Sequence, residues 1–174
     1  MRLEGKKVAV LVAADFEDLE FWVPVMRLRE EGAQVTIFGA KGHETYLGKH
    51  GVPAKTDATF EDAQSAHFDA LVIPGGWAPD KLRRYEPVKR LVREMNSAGK
   101  IIGMICHAGL VGISAGIVRG GPATGSEGIK DDLVNAGAEW LDKPAFRHQN
   151  IVWGRVVEDI PDFCRELVQA IEGG

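Results

Sequence analysis

The chain has 174 residues, 45% of them hydrophobic and 26% charged, the balance of an ordinary globular protein able to bury a core without covalent staples. A formal net charge of −4, with Lys and Arg interspersed among Asp and Glu, offers no basic field for nucleic acid or an anionic membrane. Two cysteines make no disulfide framework, no apolar run reaches transmembrane length, and the run after Lys7 is too short for a secretory signal, so a reducing cytoplasm is expected.

Val8-Ala9-Val10-Leu11-Val12-Ala13 is a continuous apolar run, as a strand covered on both faces requires. Glu17 to Glu31 follows with helical periodicity in Leu19, Phe21, Val25, Met26 and Leu28, and Val35-Thr36-Ile37-Phe38 repeats the strand signal. From Lys41 to Phe60 the pattern breaks into glycine-punctuated pieces that predict a hairpin-like excursion at one side of a sheet. Strand signals return at Ala70 to Pro74 and at Ile101 to Cys106, separated by a polar-faced helix from Glu86 to Ser97. The tail from Asp131 predicts a helix, short strands around Ile151-Val152-Trp153, and a closing amphipathic helix that carries Cys164. This alternation implies one doubly wound α/β domain over residues 1–174, with its site outside the carboxyl ends of the strands.

Three loops would meet there. Cys106-His107 stands where a strand gives way to a helix, a position that favours a reactive thiolate, although a buried inert cysteine reads equally well from these residues alone. The elbow pattern is half satisfied, since Met104 and Ala108 flank the thiol where two small residues are wanted. Glu17 reads either as a helix-start charge or, if protonated, as a hydrogen-bond donor to sulfur; ionised, it would raise the thiol pKa. Gly75-Gly76 reads as a tight turn or, with the N–H of His107, as an oxyanion hole, and Trp77 beside it is placed to line a pocket. For a third partner to His107, Asp80, Glu127, Asp131 and Asp132 qualify by type. His43, His50, His67 and His148 show no metal-ligand spacing, and the segment from Gly42 to His50 is no phosphate loop, so neither metal nor cofactor is expected.

Phe16-Glu17-Asp18-Leu19-Glu20, Gly48-Lys49-His50-Gly51, Ala70 to Gly76, Ala78-Pro79-Asp80, Ile105-Cys106-His107, Ile113 to Gly116, Lys130 to Asp132 and Asn135 to Trp140 together resemble the PfpI family of the class I glutamine amidotransferase-like superfamily. The resemblance implies a flavodoxin-like three-layer α/β sandwich with a mostly parallel sheet and a nucleophile elbow, assembled as homodimers or larger homo-oligomers. It implies Cys106 as nucleophile, His107 as its histidine and Glu17 as the acid contacting the thiol. It puts Asp80 where family proteases carry an acid that reaches a neighbouring subunit's histidine, here shortened from glutamate. Departures cluster downstream: Thr124-Gly125-Ser126-Glu127 replaces a segment with a pocket tyrosine, and Trp153-Gly154-Arg155 keeps the arginine while losing small hydroxyl residues. The expected function is a cysteine-dependent, stress-defence hydrolase or lyase acting on small carbonyl adducts, deglycase or glyoxalase-like. An intracellular cysteine peptidase and a redox-sensing stress protein that uses oxidation of Cys106 are the alternatives. Ser126 and Arg155 join Trp77 as expected pocket residues.

Overall fold

The apolar strands and amphipathic helices build a seven-stranded sheet with helices on both faces in a computed structural model that describes all residues, Met1–Gly174. In chain order the elements are β1 (Lys7–Leu11), α1 (Asp18–Glu30), β2 (Gln34–Gly39), β3 (Thr45–Leu47), β4 (Pro53–Lys55), β5 (Ala58–Thr59), β6 (Ala70–Ile73), α2 (Ala78–Leu82), α3 (Glu86–Ser97), β7 (Ile101–Ile105), α4 (Gly109–Ala115), β8 (Pro122–Ala123), α5 (Lys130–Asn135), β9 (Glu139–Trp140), β10 (Ala145–His148), β11 (Ile151–Gly154) and α6 (Ile160–Glu172). The sheet runs β10-β11-β7-β6-β1-β2-β5, parallel throughout except for the β10–β11 hairpin at one edge. Every residue of β6 and β7 is buried, as unbroken apolar runs require when both faces are covered.

On one face α1 packs on α6 and β2, and α6 covers β7, β10 and β11; on the other, α3 covers β6 and β7 and meets α4, which contacts α2 and α5. The expected excursion is the antiparallel hairpin β3–β4, which stands apart from the main sheet. The face of α1 differs from its simplest periodic reading. Phe21, Val25 and Leu28 are buried, but Leu19 and Met26 are exposed, and Glu20 takes a core-facing position one turn before Pro24 and two before Leu28. No helix is long and apolar enough to cross a membrane.

Candidate active site

From β1 the chain passes to β2 on one side and later returns through β6 on the other, so the loops after β1 and β6 part at a crevice over their carboxyl ends. The backbone joins these loops. Phe16 and Gly76 form an isolated antiparallel bridge, the Glu17 N–H donates to the Gly75 carbonyl at 3.2 Å, and the Trp77 N–H donates to the Asp15 carbonyl at 2.8 Å. The next strand over, β7, delivers Cys106 beside them. Cys106 has φ +60°, a left-handed conformation in a non-glycine residue, where β7 turns through Cys106–Ala108 into α4. Such a backbone costs roughly 1–3 kcal/mol and persists where neighbouring structure enforces it. Here the Ser126 N–H holds the Cys106 carbonyl at 3.2 Å. The outcome is a sharp strand-to-helix turn that presents the thiol, although Met104 and Ala108 depart from the small-residue pattern.

The sulfur has four polar neighbours. His107 Nδ1 lies 3.2 Å from Sγ, and the backbone N–H groups of His107 and Gly76 also reach it. The fourth is the carboxyl of Glu20, which corrects the expected contact from Glu17. Glu17 is the N-cap of α1: its Oε2 accepts the N–H groups of Leu19 and Glu20 at 2.9 Å each. Glu17 still lines the cavity, but Glu20 turns inward to the end of the sheet and is fully buried. Its Oε2 accepts the Gly75 N–H at 2.9 Å, while Oε1 finds no nitrogen or oxygen donor. Gly75 therefore drops out of the expected oxyanion set, because its N–H is already engaged. A Cβ there would lie 2.2 Å from Glu20 Oε2 and 2.8 Å from Cys106 Cβ, so glycine serves the close approach of these side chains.

Burial raises the Glu20 carboxyl to about 7, with Glu17 adding repulsion and the thiol and Gly75 N–H opposing. Burial, and then the charge and hydrogen bond of Glu20, push the Cys106 thiol up to about 12, against the lowering pull of the His107 and Gly76 N–H groups. The two groups share one proton near neutrality: double ionisation is disfavoured, and a protonated Glu20 can donate to thiolate through its otherwise unpartnered oxygen. His107 is lowered, by burial first and then by the charge of Lys49, so its imidazole is neutral at pH 7 and able to accept a proton. A cavity of about 260 Å³ opens over these atoms, lined also by Trp77, Ser126, Lys49 and Val156. Trp77 is 58% exposed, with its ring centroid 5.6 Å from that of His107.

Known proteins resemble this chain over nearly its whole length. A family model described as DJ-1/PfpI matches residues 6–170. The chain belongs to the DJ-1/PfpI family. A Pyrococcus horikoshii relative named Deglycase PH1704 is 43% identical over 166 residues, covering 95% of this chain and 99% of that one. Deglycase PfpI of Pyrococcus furiosus is 41% identical over 167 residues with the same coverage. Among solved structures, Drosophila melanogaster DJ-1beta superposes with TM-score 0.90 at 27% identity, covering 97% of this chain and 91% of that one. A two-domain Anabaena variabilis protein with DJ-1/ThiJ/PfpI-like and ferritin-like domains gives TM-score 0.92 at 38% identity, covering 94% of this chain but 47% of that one.

Against the DJ-1/PfpI pattern, the remaining expected site residues divide. Ser126 and Trp77 line the Cys106 cavity, whereas Arg155 lines a neighbouring cavity of about 380 Å³ with Glu127, Lys130, Trp140 and Asp142. Arg155 is held there by Asp142 at 2.7 Å and Asp159 at 2.9 Å, so its guanidinium ties β11 to the start of α6 and does not face the thiol. Asp80 lies exposed on α2, paired with Arg84, and meets no histidine of its own chain. Glu17, Asp18 and His50 bring possible ligand atoms within 4.8 Å of one another, but both Asp18 oxygens and one Glu17 oxygen already accept backbone N–H groups. Glu20 is the residue that sequence reading missed. Its signal was a carboxylate at i, i+4, i+8 spacing with Pro24 and Leu28, on the side of the helix that meets the core.

Proposed function

We propose that this protein is a cysteine-dependent hydrolase or lyase of stress defence that acts on small carbonyl adducts, in the manner of a deglycase or glyoxalase. The observation that carries the reading is a thiol 3.2 Å from a neutral imidazole, sharing a proton with a buried carboxyl and facing two backbone N–H groups. Cys106 thiolate adds to the carbonyl carbon, and the C=O electron pair moves to oxygen, where the Gly76 and His107 N–H groups can receive it. His107 or Glu20 then supplies the proton. Relatives named deglycase over nearly their whole length support the same chemistry. Peptide hydrolysis is the alternative; it needs an acid to orient His107, and within one chain Asp80 pairs with Arg84 and meets no histidine.

Purified protein is to be incubated with methylglyoxal, a methylglyoxal-modified amino acid and a fluorogenic peptide. Turnover of a carbonyl compound, lost by at least about 100-fold in Cys106→Ser, and no peptide cleavage are expected. Turnover of none of the three, with Cys106 intact and reduced, overturns the enzyme reading. The N–H pair and a protonated Glu20 would also hold the oxygens of an oxidised sulfur, which favours redox sensing as the second reading. Selective oxidation of Cys106 over Cys164 by mild peroxide, without carbonyl turnover, would establish it. The proposal includes a homo-oligomer, supported by an apolar stripe that α1 leaves exposed.

A further inference from the structure

One cation in the cavity over Cys106 has no partner. Lys49 lines that cavity with Cys106, His107 and Trp77, and its ammonium group makes no ion pair and no side-chain hydrogen bond. Lys81 is engaged with Asp15 at 2.9 Å, and the His50 ring lies 3.7 Å from Glu17.

The backbone beneath Lys49 is firmly held. Asp18, buried at the start of α1, clamps the turn that follows β3: its Oδ2 accepts the His50 N–H at 2.9 Å and its Oδ1 the Val52 N–H at 2.8 Å. The Lys49 N–H donates to the Phe16 carbonyl at 2.9 Å, so the residue is fastened to the loop that leads into Glu17 and Glu20. A Cβ at Gly48 would lie 2.4 to 2.6 Å from the Asp18 carboxyl atoms, so a glycine is needed for the clamp to close. With this backbone held, only the side chain of Lys49 remains to be ordered when an anion arrives.

The acids of the same cavity leave this charge available. Glu17 Oε2 takes the N–H groups of Leu19 and Glu20, Glu20 Oε2 takes that of Gly75, and Glu158 at the cavity edge is exposed. The field of Lys49 nevertheless reaches the reacting groups: burial is the largest influence on both Glu20 and His107, and Lys49 lowers both.

We infer that Lys49 selects anionic substrates, drawing in 2-oxo acids whose carboxylate it holds at the cavity mouth while Cys106 adds to the adjacent carbonyl carbon. This rests on Cys106 as the nucleophile and goes further in assigning the charge of the substrate. In the addition a C–S bond forms, the carbonyl π pair becomes an oxyanion, and the proton shared by Cys106 and Glu20 ends on that oxygen.

A test that needs no turnover compares alkylation of Cys106 by iodoacetate and by iodoacetamide, with the adduct located by peptide mass spectrometry to separate Cys106 from Cys164. Both reagents are attacked by the same thiolate and release iodide, so the ratio of their rate constants cancels the thiolate fraction and reads only the preference for charge. The wild-type ratio is expected to exceed that of N-acetylcysteine by about tenfold at low salt and to shrink as salt is added. Lys49→Gln brings the ratio down to the free-thiol value, and Lys49→Arg restores most of it. Equal ratios in wild type and Lys49→Gln, or a wild-type ratio no higher than the free thiol, overturn anion selection and leave the carbonyl chemistry standing if methylglyoxal is still consumed. A folded protein whose Cys106 reacts with neither reagent overturns the nucleophile reading, and this inference with it.

Discussion

Glu20 trades stability for chemistry. Its carboxyl is raised by burial to about 7 in the folded chain, from an ordinary value of 4.5. A folded-state pKa above the unfolded one gives stability that is complete below about pH 4.5 and is lost as pH rises through 7. The loss is on the order of 3 kcal/mol. Glu20→Gln abolishes the ionisation and keeps an oxygen to accept the Gly75 N–H. In calorimetry at pH 8 its thermal midpoint is expected to lie roughly 6–12 °C above wild type, with little difference at pH 4.5. Its cost appears at the thiol. Wild-type alkylation by neutral iodoacetamide should rise through about pH 7, where the pair gives up its first proton. In Glu20→Gln that rise should move up into or beyond the ordinary thiol range. An unchanged pH profile would show that no proton is shared.

Between elements, the join of α1 to the turn after β3 depends on one carboxylate. Burial disfavours the charge on Asp18, but the N–H groups of His50 and Val52 more than offset it, leaving Asp18 below its ordinary value. Its contribution is therefore present above about pH 4 and is lost as pH falls through the lowered pKa. Asp18→Ala leaves two backbone donors without acceptors and should cost roughly 2 kcal/mol in urea denaturation, with an unchanged slope. The same variant should lose the iodoacetate preference, because the backbone of Lys49 is released. Asp18→Asn, with one acceptor oxygen in place of two, should fall between. Wild-type stability in Asp18→Ala would show that the clamp contributes nothing.

At the scale of the whole molecule, α1 exposes Leu19, Val23 and Met26 at i, i+4 and i+7, and the hairpin beside it exposes Leu47 and Val52. A contiguous apolar face of this kind rarely stays in water, and a second copy offers the same surface in return. Sedimentation velocity at micromolar concentration is expected to give a species at least twice 18.9 kDa, and the double variant Leu19→Glu, Met26→Glu to give a folded monomer. A wild-type species of 18.9 kDa would remove the oligomer from the proposed function.

The alternation of strand and helix, the hairpin between Lys41 and Phe60, and the thiol at the end of a buried strand were legible in the sequence, because each rests on local periodicity and chain order. The family pattern was legible for the same reason: its motifs are short and sequential. What lay beyond reach depends on how loops far apart in the chain meet at the crevice over β1 and β6. Glu17 and Glu20 are three residues apart, and the rotation of α1 against the sheet decides which one caps a helix and which one meets sulfur. Gly75 binds a carboxyl 55 residues away, which removed it from the oxyanion set. Arg155 is drawn aside by Asp142 and Asp159. By itself the sequence determined that Cys106 would stand at the carboxyl end of a buried strand beside His107. Tertiary packing alone decided that a buried Glu20 meets the thiol and that Lys49 lines the same cavity, since burial and contact between distant segments are properties of the folded chain.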